Sequence, residues 1–255
     1  MNPHPVVDAH CHTGTAGVLS RPGEPDTSLV RYAVRALEAG ISQTVIMAPP
    51  VGDYAEANRT VRDVVIANPG RYLPFVFVNP HGDRGRIGEV VAWARSWGAG
   101  GIKVHWSDGV ITKEIAETAR VHRIPILYDP KGDVDVVRKA TRAFPDVAWI
   151  IPHLSSFADD WRAQTALVDE LTRTPNLFTD TSGVRYFDIL ADAVRRAGAH
   201  KVLFGSDGPY LHPGVELAKV TALKLSTADH RLITRGNILR LIGPAARRSR
   251  RPVGV

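Results

Sequence analysis

The sequence predicts a (β/α)8 TIM barrel with extra C-terminal helices. Three observations carry that expectation. Short β-branched or aromatic runs alternate with longer helical stretches eight times over about 240 residues. Glycine-bearing turns at 38–40, 68–70, 98–101 and 197–199 separate helix from following strand, where left-handed residues end helices. Ionisable residues collect at six strand ends, the face on which barrels assemble their sites. The runner-up is a doubly wound open sheet. Eight strands are many for it, and no Gly-x-Gly-x-x-Gly follows an early strand.

Taken in order, the first strand covers 5–10, with a helix over 28–38 that stops at Gly40. Strands at 44–48 and 72–78 bracket a helix over 54–67. A third helix, 86–97, sets Ile87, Val90, Val91, Ala94 and Trp97 on one face. Strand 101–105 leads to helix 113–122, strand 125–129 to helix 134–144, and strand 147–153 to helix 161–171. A short strand at 176–180 precedes helix 186–197, and strand 201–205 closes the set. Helices at 215–225 and 228–241 follow, the second capped by Ser226 and Thr227. The glycine- and proline-containing loop 14–26 is a candidate lid.

The 255 residues, 44% hydrophobic and 23% charged, suit one globular domain over 1–245. The formal charge of +6 sits mostly at the end. Residues 240–255 hold five arginines and no acid, and the rest has 27 basic against 26 acidic residues. Residues 246–255 therefore read as a basic, disordered tail whose deletion should hardly change the melting temperature. A nucleic-acid-binding body would carry basic residues across one face, so no nucleic-acid partner is expected. No run approaches a membrane span and the start lacks a secretory pattern, so the expectation is a cytoplasmic protein without a membrane partner. A homo-oligomer stays open. The lone Cys11 excludes an internal disulfide.

His10 and His12 are two apart, so on an extended strand both rings face one side, here the lumen, where two imidazoles can meet one divalent ion. Cys11 then points outward as a packing thiol. Lys103 and His105 share the same parity on the fourth strand. Lys103 fits a substrate carboxylate, a bridging ligand if modified, or an ion pair with a strand-end aspartate. His105 fits a substrate contact, an auxiliary ligand or an idle rim residue. Asp207 follows the last strand and can bind an ion and take a proton from water, or serve only its turn. His153 can bind metal or water, or polarise a carbonyl. Arg185 can clamp a carboxylate or sit on the surface. Trp106 and Tyr128 can wall a planar substrate or simply pack.

With these residues in view, the sequence resembles the amidohydrolase superfamily, and within it the amidohydrolase-related branch. That branch includes aminocarboxymuconate-semialdehyde decarboxylase, resorcylate-type decarboxylases and pyrone-dicarboxylate lactonase. Asp8-Ala9-His10-Cys11-His12, Gly101-Ile102-Lys103-Val104-His105, Pro152-His153-Leu154-Ser155 and Phe204-Gly205-Ser206-Asp207-Gly208-Pro209 match its strand-end motifs. Asn237, in Arg235-Gly236-Asn237-Ile238, matches its closing helix. The resemblance implies that His10, His12 and Asp207 hold one divalent metal, zinc first and manganese second, and that Asp207 and His153 are catalytic. The family's further metal histidine is replaced here by Asp129, the fourth expected ligand. The implied function is hydrolysis of a small carboxylate, lactone, amide or ester by metal-activated water. The alternatives are non-oxidative decarboxylation, a metal-free lactonase, and a silent barrel acting as a binding protein.

Overall fold

Eight parallel strands form one sheet in chain order. They are β1 (Val6–His12), β2 (Ile41–Met47), β3 (Tyr72–Phe77), β4 (Gly101–His105), β5 (Ile126–Asp129), β6 (Trp149–Ile151), β7 (Leu177–Asp180) and β8 (Val202–Leu203). This computed structural model describes residues 4–15, 26–27, 29–157 and 160–243. Beyond β8 the chain continues alongside β1. Ala9 N–H donates to Phe204 O at 2.8 Å, Asp207 N–H to His10 O at 2.8 Å, and Cys11 bridges Gly208 in parallel. These bonds close the barrel, as parallel βα repetition requires.

The helices are α1 (Leu29–Glu38), α2 (Ala55–Ala67), α3 (Ile87–Ser96), α4 (Lys113–His122), α5 (Val134–Ala143), α6 (Trp161–Arg173), α7 (Phe187–Ala197) and α8 (Pro213–Ala222). Side-chain caps fix several starts. Thr112, Asp133 and Asp160 accept the N–H groups of Ile115, Val136 and Ala163. The helix expected over 228–241 is interrupted: α9 (Thr227–Arg231), a π turn at Leu232–Gly236, then α10 (Asn237–Ile242). The cause is tertiary, because Ile233 O leaves the helical pattern to accept Phe204 N–H at 2.8 Å. Gly14–Thr15 and Asp26–Thr27 pair antiparallel, a hairpin stem that no sequence pattern signalled. The lid expected between them and the basic tail both lie outside the described residues.

Two apolar layers result. Val7, Ala9, Val45, Leu73, Phe75, Leu127, Ile150, Phe178 and Leu203 fill the barrel, and Ile238 and Ile242 of α10 plug its amino-terminal end. A second layer joins strands to helices and contains Val6, Cys11, Ile102, Val104 and Tyr128. Gly101 has no side chain because a methyl there would meet the Phe75 ring at 2.5 Å. Among the described residues no helix is long and apolar enough to cross a membrane.

Candidate metal centre and active site

A register shift in β1 decides which side chains enter the lumen. Asp8 pairs with Thr44 and Cys11 with Ile46, so β1 spends three residues where β2 spends two. This bulge resets the alternation. Ala9 belongs to the barrel filling, yet His10 and His12 line the cavity above it, and Cys11 turns outward with its thiol pushed up by burial. The buried Asp8 serves the irregularity. It accepts His10 N–H (3.1 Å), Ser206 N–H (2.9 Å), Ser206 Oγ (2.5 Å) and Tyr32 OH (2.7 Å), tying β1 to the loop that presents Asp207. Burial raises the Asp8 pKa to about 7, against the pull of those hydrogen bonds.

The three expected core ligands converge. His10 Nε2 lies 3.2 Å from His12 Nε2, and Asp207 Oδ1 lies 3.5 and 3.4 Å from the two nitrogens. Hydrogen bonds fix the proton on the far side of each ring. His12 Nδ1–H donates to Ala48 O at 2.7 Å, and His10 Nδ1–H to Asp180 Oδ2 at 2.9 Å. Both Nε2 lone pairs therefore face each other and a carboxylate oxygen, with no proton between. Three buried acceptors in mutual contact call for a cation. Burial, then the Lys103 charge, lowers the His10 pKa to about 4 despite its two aspartates, so the ring is neutral and free to ligate. Burial would raise Asp207, but His10, His12 and His153 hold it well below the usual carboxylate range. The site accordingly supports a divalent metal cofactor held by His10, His12 and Asp207.

His153 follows β6 in a strained turn. His153, Leu154 and Ser155 carry φ of 58°, 51° and 84°, and Asp207 carries 53°, unusual for non-glycine residues and concentrated at this mouth. The His153 ring sits 5.3 Å from that of His10, edge-on to Phe157 at 5.1 Å. Its Nδ1–H donates to Ser182 O at 2.8 Å, which leaves Nε2 as an acceptor.

Asp180, marked in the sequence only as a strand end, is central. Besides His10 it receives Ser182 Oγ (2.5 Å), Ser182 N–H (3.0 Å) and His153 N–H (3.3 Å). Burial pushes its pKa up, but His10 and these bonds win and hold it at about 2. His10, His153 and Asp180 form a second group of converging donor atoms. Its oxygens are already filled by hydrogen bonds, so it orients the first group. Gly205 permits this, since a methyl there would stand 3.0 Å from both His10 Cβ and Asp180 Cγ.

On the opposite wall, Lys103 and His105 face the cavity as their parity predicts. Lys103 is almost wholly buried, and burial lowers its pKa against the charges of Asp129, Asp207 and Asp180. His105 takes the other tautomer. Its Nδ1 accepts Ser107 N–H at 3.3 Å, so Nε2 carries the proton and faces Asp129 Oδ2 at 3.6 Å. Asp129 Oδ1 accepts Lys131 N–H at 2.9 Å. The expected fourth ligand is thus on the cavity wall beside His105, and it belongs to neither converging group among the described residues.

The cavity measures about 500 Å³. Trp106 forms part of its wall, with Lys131 Nζ 3.8 Å above the ring. Tyr128 is corrected. Leu127 and Asp129 face inward, so the residue between them packs outward in the strand–helix layer. Arg185 is exposed just before α7 and is not among the residues lining this cavity. Sequence reasoning missed Tyr210, which lines the cavity 5.6 Å from the His12 ring. Its buried hydroxyl has no hydrogen-bond partner among the described residues.

The family model described as amidohydrolase matches residues 7–243. Comparison with curated proteins gives no significant match. Among solved structures, an amidohydrolase from Burkholderia multivorans aligns with a TM-score of 0.76 at 15% identity, covering 94% of this chain and 99% of that one. The 2,6-dihydroxybenzoate decarboxylase from Rhizobium gives 0.71 at 15% identity, covering 93% and 98%. The 5-carboxyvanillate decarboxylase from Sphingomonas paucimobilis gives 0.69 at 12% identity, covering 93% and 98%. At such identities these likenesses establish the barrel. The family match across nearly the whole chain, on top of the His-x-His and Asp207 geometry, makes this chain a member of the amidohydrolase superfamily, in its amidohydrolase-related branch.

Proposed function

We propose that this chain is a metal-dependent hydrolase of small carboxylate, lactone, amide or ester substrates, with zinc as its ion. The observation that carries the proposal is the proton-free meeting of His10 Nε2, His12 Nε2 and Asp207 Oδ1. A tetrahedral ion with bonds of about 2.1 Å has donor–donor edges of about 3.4 Å. The three edges here are 3.2, 3.4 and 3.5 Å, and the two imidazole donors favour zinc over manganese.

Bound there, the ion would supply Lewis acidity, lowering the pKa of water and polarising a carbonyl. The chain's own groups do the rest. Asp207 meets both imidazoles through Oδ1, which leaves Oδ2 to accept a proton from water. His153, with its Nε2 lone pair free, is the second acceptor and can return that proton to a leaving group. His105 Nε2–H and the Lys103 ammonium bind an anionic or carbonyl oxygen on the opposite wall. Ser107 N–H holds His105 in its donor tautomer, and the Asp129 carboxylate stands beside its Nε2–H. Trp106 and Phe157 flank the entrance and exclude water from the reacting atoms.

Decarboxylation is the second reading. The aromatic walls suit a planar ring, and the same residues could manage the proton that replaces CO2. Elemental analysis, chelator treatment and a panel of lactones, esters and amides test the first reading, with CO2 release as the control. Stoichiometric zinc, with hydrolysis lost to chelator and regained on readdition, is the expected result. CO2 release without hydrolysis would move the assignment to a decarboxylase. Full activity after chelation would defeat the metal and favour the lactonase type, in which Lys103 and His153 bind substrate and Asp207 activates water alone. Zinc binding with no turnover of any kind would leave a binding protein.

A further inference from the structure

We infer that the outer face of α1 and α8 is the contact through which two copies of this chain form a symmetric dimer. In α1, Val30, Val34 and Leu37 recur at helical spacing on the solvent side, 76%, 56% and 72% exposed. Tyr32 and Ala36 occupy the buried side, so core packing does not account for the stripe. α8 packs against α1 and exposes Val215, 62% accessible. A methyl on Gly214 would lie 3.8 Å from Ala39 Cβ, which sets Val215 by the end of α1. Ala218, Thr221 and Ala222 are exposed on α8 and uncharged. Other barrel helices cover their solvent sides with ion pairs, such as Arg59–Glu56 on α2, Arg138–Asp135 on α5 and Arg196–Asp192 on α7. Among the described residues no ion pair crosses the α1 stripe, and the Lys219–Glu216 pair of α8 lies on its mostly buried side, so this exposed apolar face marks an interaction surface.

The charges beside the stripe select a second copy as the occupant. Arg31 and Glu38 are exposed at opposite ends of α1, seven residues apart, and centred on Val34 and Arg35. A two-fold axis through that centre runs two α1 helices antiparallel. Each Arg31 then faces Glu38 of the partner subunit, while the valines and leucines meet in the middle. Such self-complementarity is the requirement of an isologous contact. Two ten-residue helices expose fewer residues than the roughly 20–30 a side of a standard interface, so the dimer is concentration-dependent.

Sedimentation equilibrium of the full chain over a range of concentrations tests this. Wild type should dimerise, and Val34→Glu should be monomeric with the melting temperature of wild type at dilutions where it too is monomeric. Arg31→Glu should weaken the dimer about ten-fold, through two symmetric pairs, and adding Glu38→Arg should restore it. Cys11 is buried and the only natural cysteine, so Val34→Cys adds the one accessible thiol. A short bis-maleimide should join two copies of that variant. A monomer whose introduced thiol labels freely would point to a different partner and overturn the inference. A monomer with a protected thiol would show that the chain covers the face itself, which overturns it equally. A dimer indifferent to Val34→Glu and to the charge exchange would place the contact elsewhere.

Discussion

Asp180→Asn isolates the least expected member of the site. The amide would keep an oxygen for Ser182 N–H, Ser182 Oγ and His153 N–H, so the turn after β7 should survive. Its NH2 would then stand where Oδ2 accepts His10 Nδ1–H at 2.9 Å. Two donors cannot share that bond, so His10 must move its proton to Nε2. That N–H would point at His12 Nε2, 3.2 Å away, and at the proposed metal position. Restoring the ligating tautomer forfeits the bond to residue 180 and its charge. Changes to such supporting partners cost about 10–100-fold in metal affinity, roughly 1.4–2.7 kcal/mol. In the proposed site His10 is a direct ligand, and its partner Asp180 is fully buried, so the upper end is expected here. Chelator competition measures the zinc affinity, and 15N chemical shifts of the imidazoles report the tautomer. Zinc affinity within three-fold of wild type, with Nδ1 still protonated, would refute the reasoning.

The remaining predictions concern the other walls and pH. Tyr210→Phe removes a buried hydroxyl with no partner among the described residues, so stability should change by less than about 1 kcal/mol while substrate turnover falls, which melting and steady-state kinetics separate. Asp129→Asn should leave zinc stoichiometry intact and lower activity through His105, whereas loss of zinc would make Asp129 a ligand after all. For pH, His10 titrates near 4 and His105 near 3 when folded, below the ordinary 6.5, mainly because both are buried. Between those values and 6.5 the two histidines make the unfolded chain bind more protons, and Asp8, raised to about 7, offsets part of this, so stability still rises with pH. The histidine contribution is fully present above about pH 6.5 and lost as pH falls towards 4, by about 3 kcal/mol for His10 alone. Metal-free melting curves should show this decline, and His105→Gln should flatten it. An unchanged slope in that variant would contradict the assignment.

Much of this was legible from local pattern. Alternation with period two put His10, His12, Lys103 and His105 on the luminal side and Cys11 outside, because pleated strands leave few choices. The same parity, applied to Leu127-Tyr128-Asp129, would have sent Tyr128 outward, so that error came from reading chemistry before geometry. The βα repetition fixed the barrel, since a parallel strand with a crossover helix has few other closures. Tertiary structure decided what depends on residues far apart in the chain. The β1 bulge that lets Ala9 and His10 both face inward arises from pairing with β2, and no local motif marks it. Asp180 reaches His10 across 170 residues, and Gly205 permits that approach from a third strand. Arg185 is exposed and is not among the residues lining the cavity, a placement set by the loop between β7 and α7. Residue type and spacing thus named the ligands, but hydrogen bonds from distant strands fixed their tautomers. A lone pair is directed by its partner, and the partner is chosen only when the barrel closes.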